Sequence, residues 1–223
     1  MQPFSLHARR ERSLLLTGLA LVVAALYVDR RVKTPIFSPY GTEYTGEEIN
    51  PLDRLGSTVR DRGAAELADA GLYGGLFLPL SLAFHPRTRP SYPTILLLWL
   101  ETVLLTFSTT SLLKNVISRP RPYVYHADWQ LDRPLSRKDR AAFLSGHTSN
   151  ATAGAVLFAE LLRHYRLPGA GGGRLLAAGV ALGTAYLRVK AGKHWPTDTL
   201  AGIALGGGVA GGNLWLHRPK GRR

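Results

Sequence analysis

The chain has no cysteine and a single methionine among its 223 residues. The missing cysteine excludes a disulfide framework and any thiolate metal site, and leaves the compartment undecided. Acid is also scarce, with 15 Asp and Glu against 28 Lys and Arg, for a net charge of +13. A surplus of that size suits nucleic acid, anionic lipid or an anionic substrate. There are no runs of Lys and Arg interleaved with aromatics, which a single-strand nucleic-acid binder needs for stacking. The basic residues instead flank apolar segments, which favours lipid and phosphate and speaks against nucleic acid. Mean hydropathy is only −0.01, low for a chain that crosses a membrane repeatedly. That average hides bunching: the apolar residues sit in blocks, with the charges gathered between them.

Six helix-like apolar blocks are present: Ser13–Val28, Ala68–Phe84, Tyr92–Leu113, Thr148–Leu162, Leu175–Leu187 and Thr199–Leu216. The third has about the 20 residues that a bilayer core requires, and several others are shorter. The first follows Arg9, Arg10 and Arg12, as the core of a signal peptide would. It runs into Tyr27-Val28-Asp29, however, with no small-x-small cleavage site. Pro79 interrupts the second. Glycines stand four apart at Gly71/Gly75, Gly179/Gly183, Gly202/Gly206 and Gly208/Gly212. That spacing lets helix backbones approach closely in lipid. In a soluble bundle, the competing reading, each interior glycine would cost about 1 kcal/mol against alanine. The expectation is an all-α, six-span transmembrane helical bundle forming one domain over residues 1–223. Two long polar connections, Asp29–Gly63 and Lys114–Gly146, separate its parts. Glu101 falls mid-span, where it needs a partner helix or a pocket, and Glu160 falls near a span end.

Three polar clusters sit at the edges of these blocks. Lys114 closes the third, and Pro120 should stop its helix near Ser118 or Arg119, so that the chain turns and brings Arg121 beside Lys114. Lys is a mobile point charge and Arg a planar fork matched to phosphate oxygens. Alone, such a pair also serves as an interfacial anchor. Ser145-Gly146-His147 opens the fourth block, where glycine permits close backbone approach and the free N–H groups of a helix start attract anions. The same residues also make an ordinary turn and cap. Arg188, His194 and Asp198 join the fifth block to the sixth. If a helix begins near His194, Asp198 lies four residues on, placed to accept a hydrogen bond from the imidazole and present its other nitrogen as a nucleophile. Capping by Pro196, Thr197 and Asp198 is the plainer alternative. A six-span topology puts all three clusters on one membrane face.

With these motifs in view, the chain resembles the type-2 phosphatidic acid phosphatases, a family related in fold to vanadium haloperoxidases. The family pattern is Lys, six residues, Arg-Pro; then Pro-Ser-Gly-His; then Ser-Arg, five residues, His, three residues, Asp. Here Lys114 to Arg121-Pro122 completes the first part. Ser145, Gly146 and His147 match the second, with Leu144 in place of Pro. Arg188, His194 and Asp198 match the third, with Leu187 in place of Ser. The resemblance implies that His194 attacks phosphorus to form a phosphohistidine, that Asp198 orients it, and that His147 protonates the departing oxygen. It assigns phosphate binding to Lys114, Arg121, Ser145, Gly146 and Arg188, and implies no metal or other cofactor. The substrate would be a lipid phosphate or diphosphate with its tail in the bilayer. Undecaprenyl diphosphate, phosphatidylglycerol phosphate, phosphatidate and lipid A phosphates are the family candidates. A vanadate-dependent haloperoxidase and a non-catalytic anionic-lipid binder are the alternatives. Nothing in the sequence speaks to oligomeric state.

Orientation follows from loop charge. The N-terminus, His85–Pro90, Arg163–Arg174 and Arg218–Arg223 are short and basic, with Glu11 their only acid. The opposite side carries Asp29, Glu43, Glu47, Glu48, Asp53, Asp61, Asp128, Asp132 and Asp139. The positive-inside rule then puts both termini in the cytoplasm and the polar clusters outside, toward the periplasm or exterior.

Overall fold

The computed structural model describes residues 3–31, 49–56, 58–126 and 136–219. Most of the first long connection, part of the second, the acids Glu43, Glu47, Glu48, Asp128 and Asp132, and residues 220–223 lie outside the described residues.

Each apolar block forms a helix, longer than the block in every case but the second, whose last part is a 3-10 turn, and no strand occurs among the described residues. The six are α1 (Ala8–Arg31), α2 (Arg62–Phe77), α3 (Tyr92–Ile117), α4 (Gly146–His164), α5 (Ala170–Lys190) and α6 (Pro196–His217). Their ends have local causes. The Asp61 carboxylate caps α2 by accepting from the Ala64 N–H at 2.9 Å. At Pro79, α2 tightens into a 3-10 turn over Leu78–Phe84. Ser118, in the left-handed conformation at φ 50°, closes α3 just ahead of Pro120. Left-handed Gly169 precedes α5.

Among the described residues, four segments are long and apolar enough to cross a membrane: Ala8–Arg31, Arg62–Phe84, Arg89–Tyr125 and Pro196–His217. Leu16, Leu19, Val23, Phe107, Leu175, Leu182 and Leu200 are exposed on the bundle's outside, as a lipid-facing surface requires. The chain is thus a multi-pass membrane protein. The polar first turns of α4 are tolerated because this helix is the hub of the bundle, packed against α2, α3, α5 and α6. Its residues Thr148 to Ala155 are all buried.

Glycines set the closest crossings, though only some of the expected ones. A Cβ at Gly75 would stand 2.8 Å from the Ala151 carbonyl oxygen, and one at Gly154 would overlap the Gly75 carbonyl, so α2 and α4 touch backbone to backbone. At Gly202 it would lie 2.9 Å from the Ser145 carbonyl oxygen, and at Gly206 3.0 Å from the Ala153 nitrogen, which brings α6 equally close to α4. Gly179, Gly183, Gly208 and Gly212 have nothing within 4 Å. For those two pairs the expectation of tight packing does not hold, because they lie on helix faces turned away from the other helices.

The helix α1 packs along α3, with the Asn115 amide donating to the Ala25 carbonyl at 2.8 Å. Glu101 is fully buried and lies 3.3 Å from His217 Nε2, and Glu11 reaches the same nitrogen at 2.8 Å. Arg10 faces Glu11 at 2.8 Å, so two basic and two acidic side chains tie α1, α3 and α6 together at the end remote from the motifs. Glu160 pairs with Arg163 at 2.5 Å.

Candidate active site

An up-and-down bundle collects alternate helix ends on one face. Here the end of α3, the start of α4, the end of α5 and the start of α6 meet, and all three polar clusters come with them. Three loop contacts pin the arrangement. Arg121 N–H donates to the Asp139 carbonyl at 2.8 Å, Ala142 N–H to the Arg119 carbonyl at 3.0 Å, and Trp195 Nε1–H to the Pro120 carbonyl at 3.1 Å.

His194 is 1% exposed, and its Nδ1 lies 2.7 Å from the carbonyl oxygen of Ala142. A carbonyl only accepts, so Nδ1 must carry the proton and Nε2 holds the lone pair. The imidazole is held well below its ordinary pKa, first by burial and then by Lys114, Arg121 and Arg188. Those three cations, drawn from two of the clusters, therefore all bear on one neutral ring. Arg121 Nε and Arg188 Nε are buried without a hydrogen-bond partner among the described residues. Buried guanidinium donors in that state suit an anion. Lys114 Nζ donates to the Ala141 carbonyl at 2.9 Å, and its Cε packs beside Gly146, 3.5 Å from where a Cβ would sit.

Asp198 does not do what the four-residue spacing predicts. Its nearer oxygen is 3.9 Å from His194 Nδ1, beyond hydrogen-bond range, because that nitrogen is already committed to Ala142. The carboxylate instead accepts from Trp195 N–H at 2.8 Å, capping α6, and pairs with Arg119 at 2.6 Å. Arg119 also pairs with Asp53 at 2.6 Å, and Asp53 accepts from Thr197 N–H at 2.9 Å. This Asp53–Arg119–Asp198 chain, its two carboxylates buried and its guanidinium partly exposed, docks the first connection onto the start of α6.

Ser145 serves as the N-cap of α4. Its hydroxyl oxygen accepts from the Thr148 hydroxyl at 2.9 Å and, more weakly, from the Thr148 N–H at 3.4 Å. Its own N–H donates to the Asp198 carbonyl at 3.0 Å. The turn is thus tied to α6 without the proline that Leu144 replaces.

A cavity of about 710 Å³ opens at this face, lined by Arg121, His147, Arg188, Lys193, Tyr123 and Asp69 among others. His194, Lys114 and Asp198 do not line it. Arg121 and Arg188 bridge the gap, lining the cavity while their charge reaches His194. His147 Nε2 lies 2.7 Å from Asp69 Oδ1. Burial, with Arg188 second, pushes His147 down to about 4, and Asp69 opposes the shift. A larger cavity of about 860 Å³ lies at the other end, among Arg87, Arg163, His164, Arg166 and Arg218, and touches none of the motif residues.

The model of the PAP2 superfamily matches residues 95–222, more than half of the chain. The chain belongs to the PAP2 superfamily. All eight motif residues fall inside the matched region. Within the superfamily it is similar to the lipid A 1-phosphatase of Rhizobium etli, 34% identical over 109 residues, covering 48% of this chain and 43% of that protein. It is similar also to the lipid A 1-phosphatase of Rhizobium johnstonii, 33% identical over 107 residues, covering 47% and 41%. The chain thus spans less than half the length of these relatives. Its fold is similar to that in the crystal structure of a transmembrane PAP2-type phosphatidylglycerolphosphate phosphatase from Bacillus subtilis, at a TM-score of 0.50 and 22% identity over 89% of this chain and 94% of that one.

Three participants at this PAP2 site escaped the sequence reading. The Ala142 carbonyl is a backbone group with no side-chain signature. Arg119 stands inside the first motif, but its partners Asp53 and Asp198 are distant in sequence. Asp69 is the one charged residue of the second apolar block, and that was the available hint.

Proposed function

We propose that the chain is a membrane lipid phosphatase, a single integral-membrane domain over residues 1–223. It hydrolyses a phosphomonoester or diphosphate on a lipid headgroup through a phosphohistidine, using only side chains of the protein. The observation that carries this reading is the bond from His194 Nδ1–H to the Ala142 carbonyl, which leaves Nε2 as the attacking atom. The Nε2 lone pair forms a bond to phosphorus as the bond to the lipid oxygen breaks, and His147 supplies the proton that the departing oxygen takes up. Water then attacks the phosphohistidine, His147 receives its proton, and the P–N electron pair returns to Nε2. Lys114, Arg121 and Arg188, with the start of α4 at Ser145-Gly146, stabilise the charge on the nonbridging oxygens. Asp198 contributes by anchoring the α6 start that carries His194. His147 is neutral at pH 7 in the protein alone, through burial first and the Arg188 charge second, and the incoming phosphate dianion offsets that charge.

The names of the relatives direct the substrate assignment to lipid A phosphates first and phosphatidylglycerol phosphate second, ahead of undecaprenyl diphosphate and phosphatidate. The lipid tail lies in the bilayer, the termini in the cytoplasm, and the active site faces outward. The test is phosphate release by purified protein, in EDTA, from each of the four lipids, with wild type beside His194→Ala. Release by wild type that His194→Ala abolishes is the expected result. Release by the variant at the wild-type rate would overturn the mechanism. Binding without release would favour the anionic-lipid binder, and halide oxidation with vanadate the haloperoxidase.

A further inference from the structure

We propose that Asp69 is the positioning residue of the proton donor: it receives Nε2–H of His147, so that Nδ1 carries the proton delivered to the leaving oxygen. This rests on the phosphatase reading above. The juxtaposition is built into the helix crossings. Gly75 and Gly154 bring the backbones of α2 and α4 into contact, and Asp69 and His147 stand six and seven residues from that contact toward the same end. Gly71 packs on Thr184, one turn before Arg188, which brings α5 to the same carboxylate. As a result Asp69 Oδ1 lies 2.7 Å from His147 Nε2 and 3.6 Å from Arg188 Nη1.

The charged groups around His147 explain why a carboxylate belongs there. Lys114 comes from α3, Arg121 from the segment after it, Arg188 from α5, and Lys193 from the loop before α6. Burial first, then Arg188 and Arg121, disfavour an imidazolium. At the start of α6, Asp198 is committed to Arg119 and Trp195, and Asp139, which lines the same cavity, accepts from Tyr123 and Ser136. Asp69 therefore supplies the carboxylate that faces His147 directly, favouring the charged form by contact and by hydrogen bond. In the first step, imidazolium Nδ1–H passes its proton to the lipid oxygen as the P–O bond breaks. His147 becomes the neutral Nε2–H tautomer, still held by Asp69. In the second step, Nδ1 accepts the proton of the attacking water. A negative charge beside an anion site weakens binding of the ground state, so Asp69 raises turnover at some cost in affinity.

The test is Asp69→Asn, which keeps shape but removes charge, in the full chain in detergent micelles, with phosphate release followed across pH. At neutral pH kcat is expected to fall about tenfold, within the range general acids contribute. KM stays level or falls, and the alkaline limb of kcat moves down by about one pH unit. Asp69→Glu should keep the limb and restore part of kcat, and it carries the same test should the Asn variant not fold. Wild-type kcat and limb in Asp69→Asn, or a loss confined to KM, would overturn the proposal. The imidazole ¹⁵N titration of His147 gives an answer independent of turnover: its midpoint should drop in Asp69→Asn, and an unchanged midpoint refutes the role. Wild type that releases no phosphate, with the midpoint still shifted, places the failure in the phosphatase reading instead.

Discussion

His194 shows how a backbone atom can take the part that spacing assigns to a side chain. The i, i+4 relation to Asp198 is real, yet the carboxylate points to Trp195 N–H and Arg119, and the Ala142 carbonyl sets the tautomer. Lys114, Arg121, His147, Arg188, His194 and Asp198 could be picked out as candidates because side-chain chemistry is written in the sequence. The partner of each was not, since it depends on loops that meet only after folding. The pH profile follows from the two histidines. In the proposed mechanism His194 reacts as the neutral ring, which puts the acidic limb low, and His147 as the protonated one, which makes it the alkaline limb. Because His147 sits at about 4 in the protein alone and a bound dianion raises it, the alkaline limb of kcat/KM should lie at lower pH than that of kcat. Coincident limbs in steady-state assays would contradict this account, and His147→Ala should erase the limb from both.

At the scale of helices, the glycine pattern announced close packing without saying which pairs would use it. All eight glycines stand in apolar runs, but rotation about each helix axis is decided by the neighbours it meets. Gly202 and Gly206 face α4, whereas Gly208 and Gly212 face away from the bundle. Gly206→Val should therefore lower stability by about 2 kcal/mol through overpacking. Gly208→Ala should leave it unchanged or raise it by up to about 1 kcal/mol through helix propensity. Thermal unfolding of both variants in one detergent measures the contrast, and equal midpoints would show that the crossing is not tight. The helix α4 makes the complementary point: its sequence is too polar for a convincing span, but its place at the hub shields it from lipid.

For the whole molecule, the absence of cysteine is an experimental advantage, because any introduced thiol is unique. Lys138 is exposed on the active-site face and Gly171 on the opposite one. With the active site outward, Lys138→Cys in intact cells should react with a membrane-impermeant maleimide, and Gly171→Cys only after lysis. The reverse pattern would invert the topology. What the sequence alone determined was the all-helical class, the six helices and the residues carrying the charge, since each depends on local composition and periodicity. Tertiary structure alone decided that Ala142 orients His194, that Asp53 and Arg119 hold the α6 start, and that Asp69 meets His147. Those are contacts between segments far apart in the chain, and the depth of each helix crossing determines whether they form.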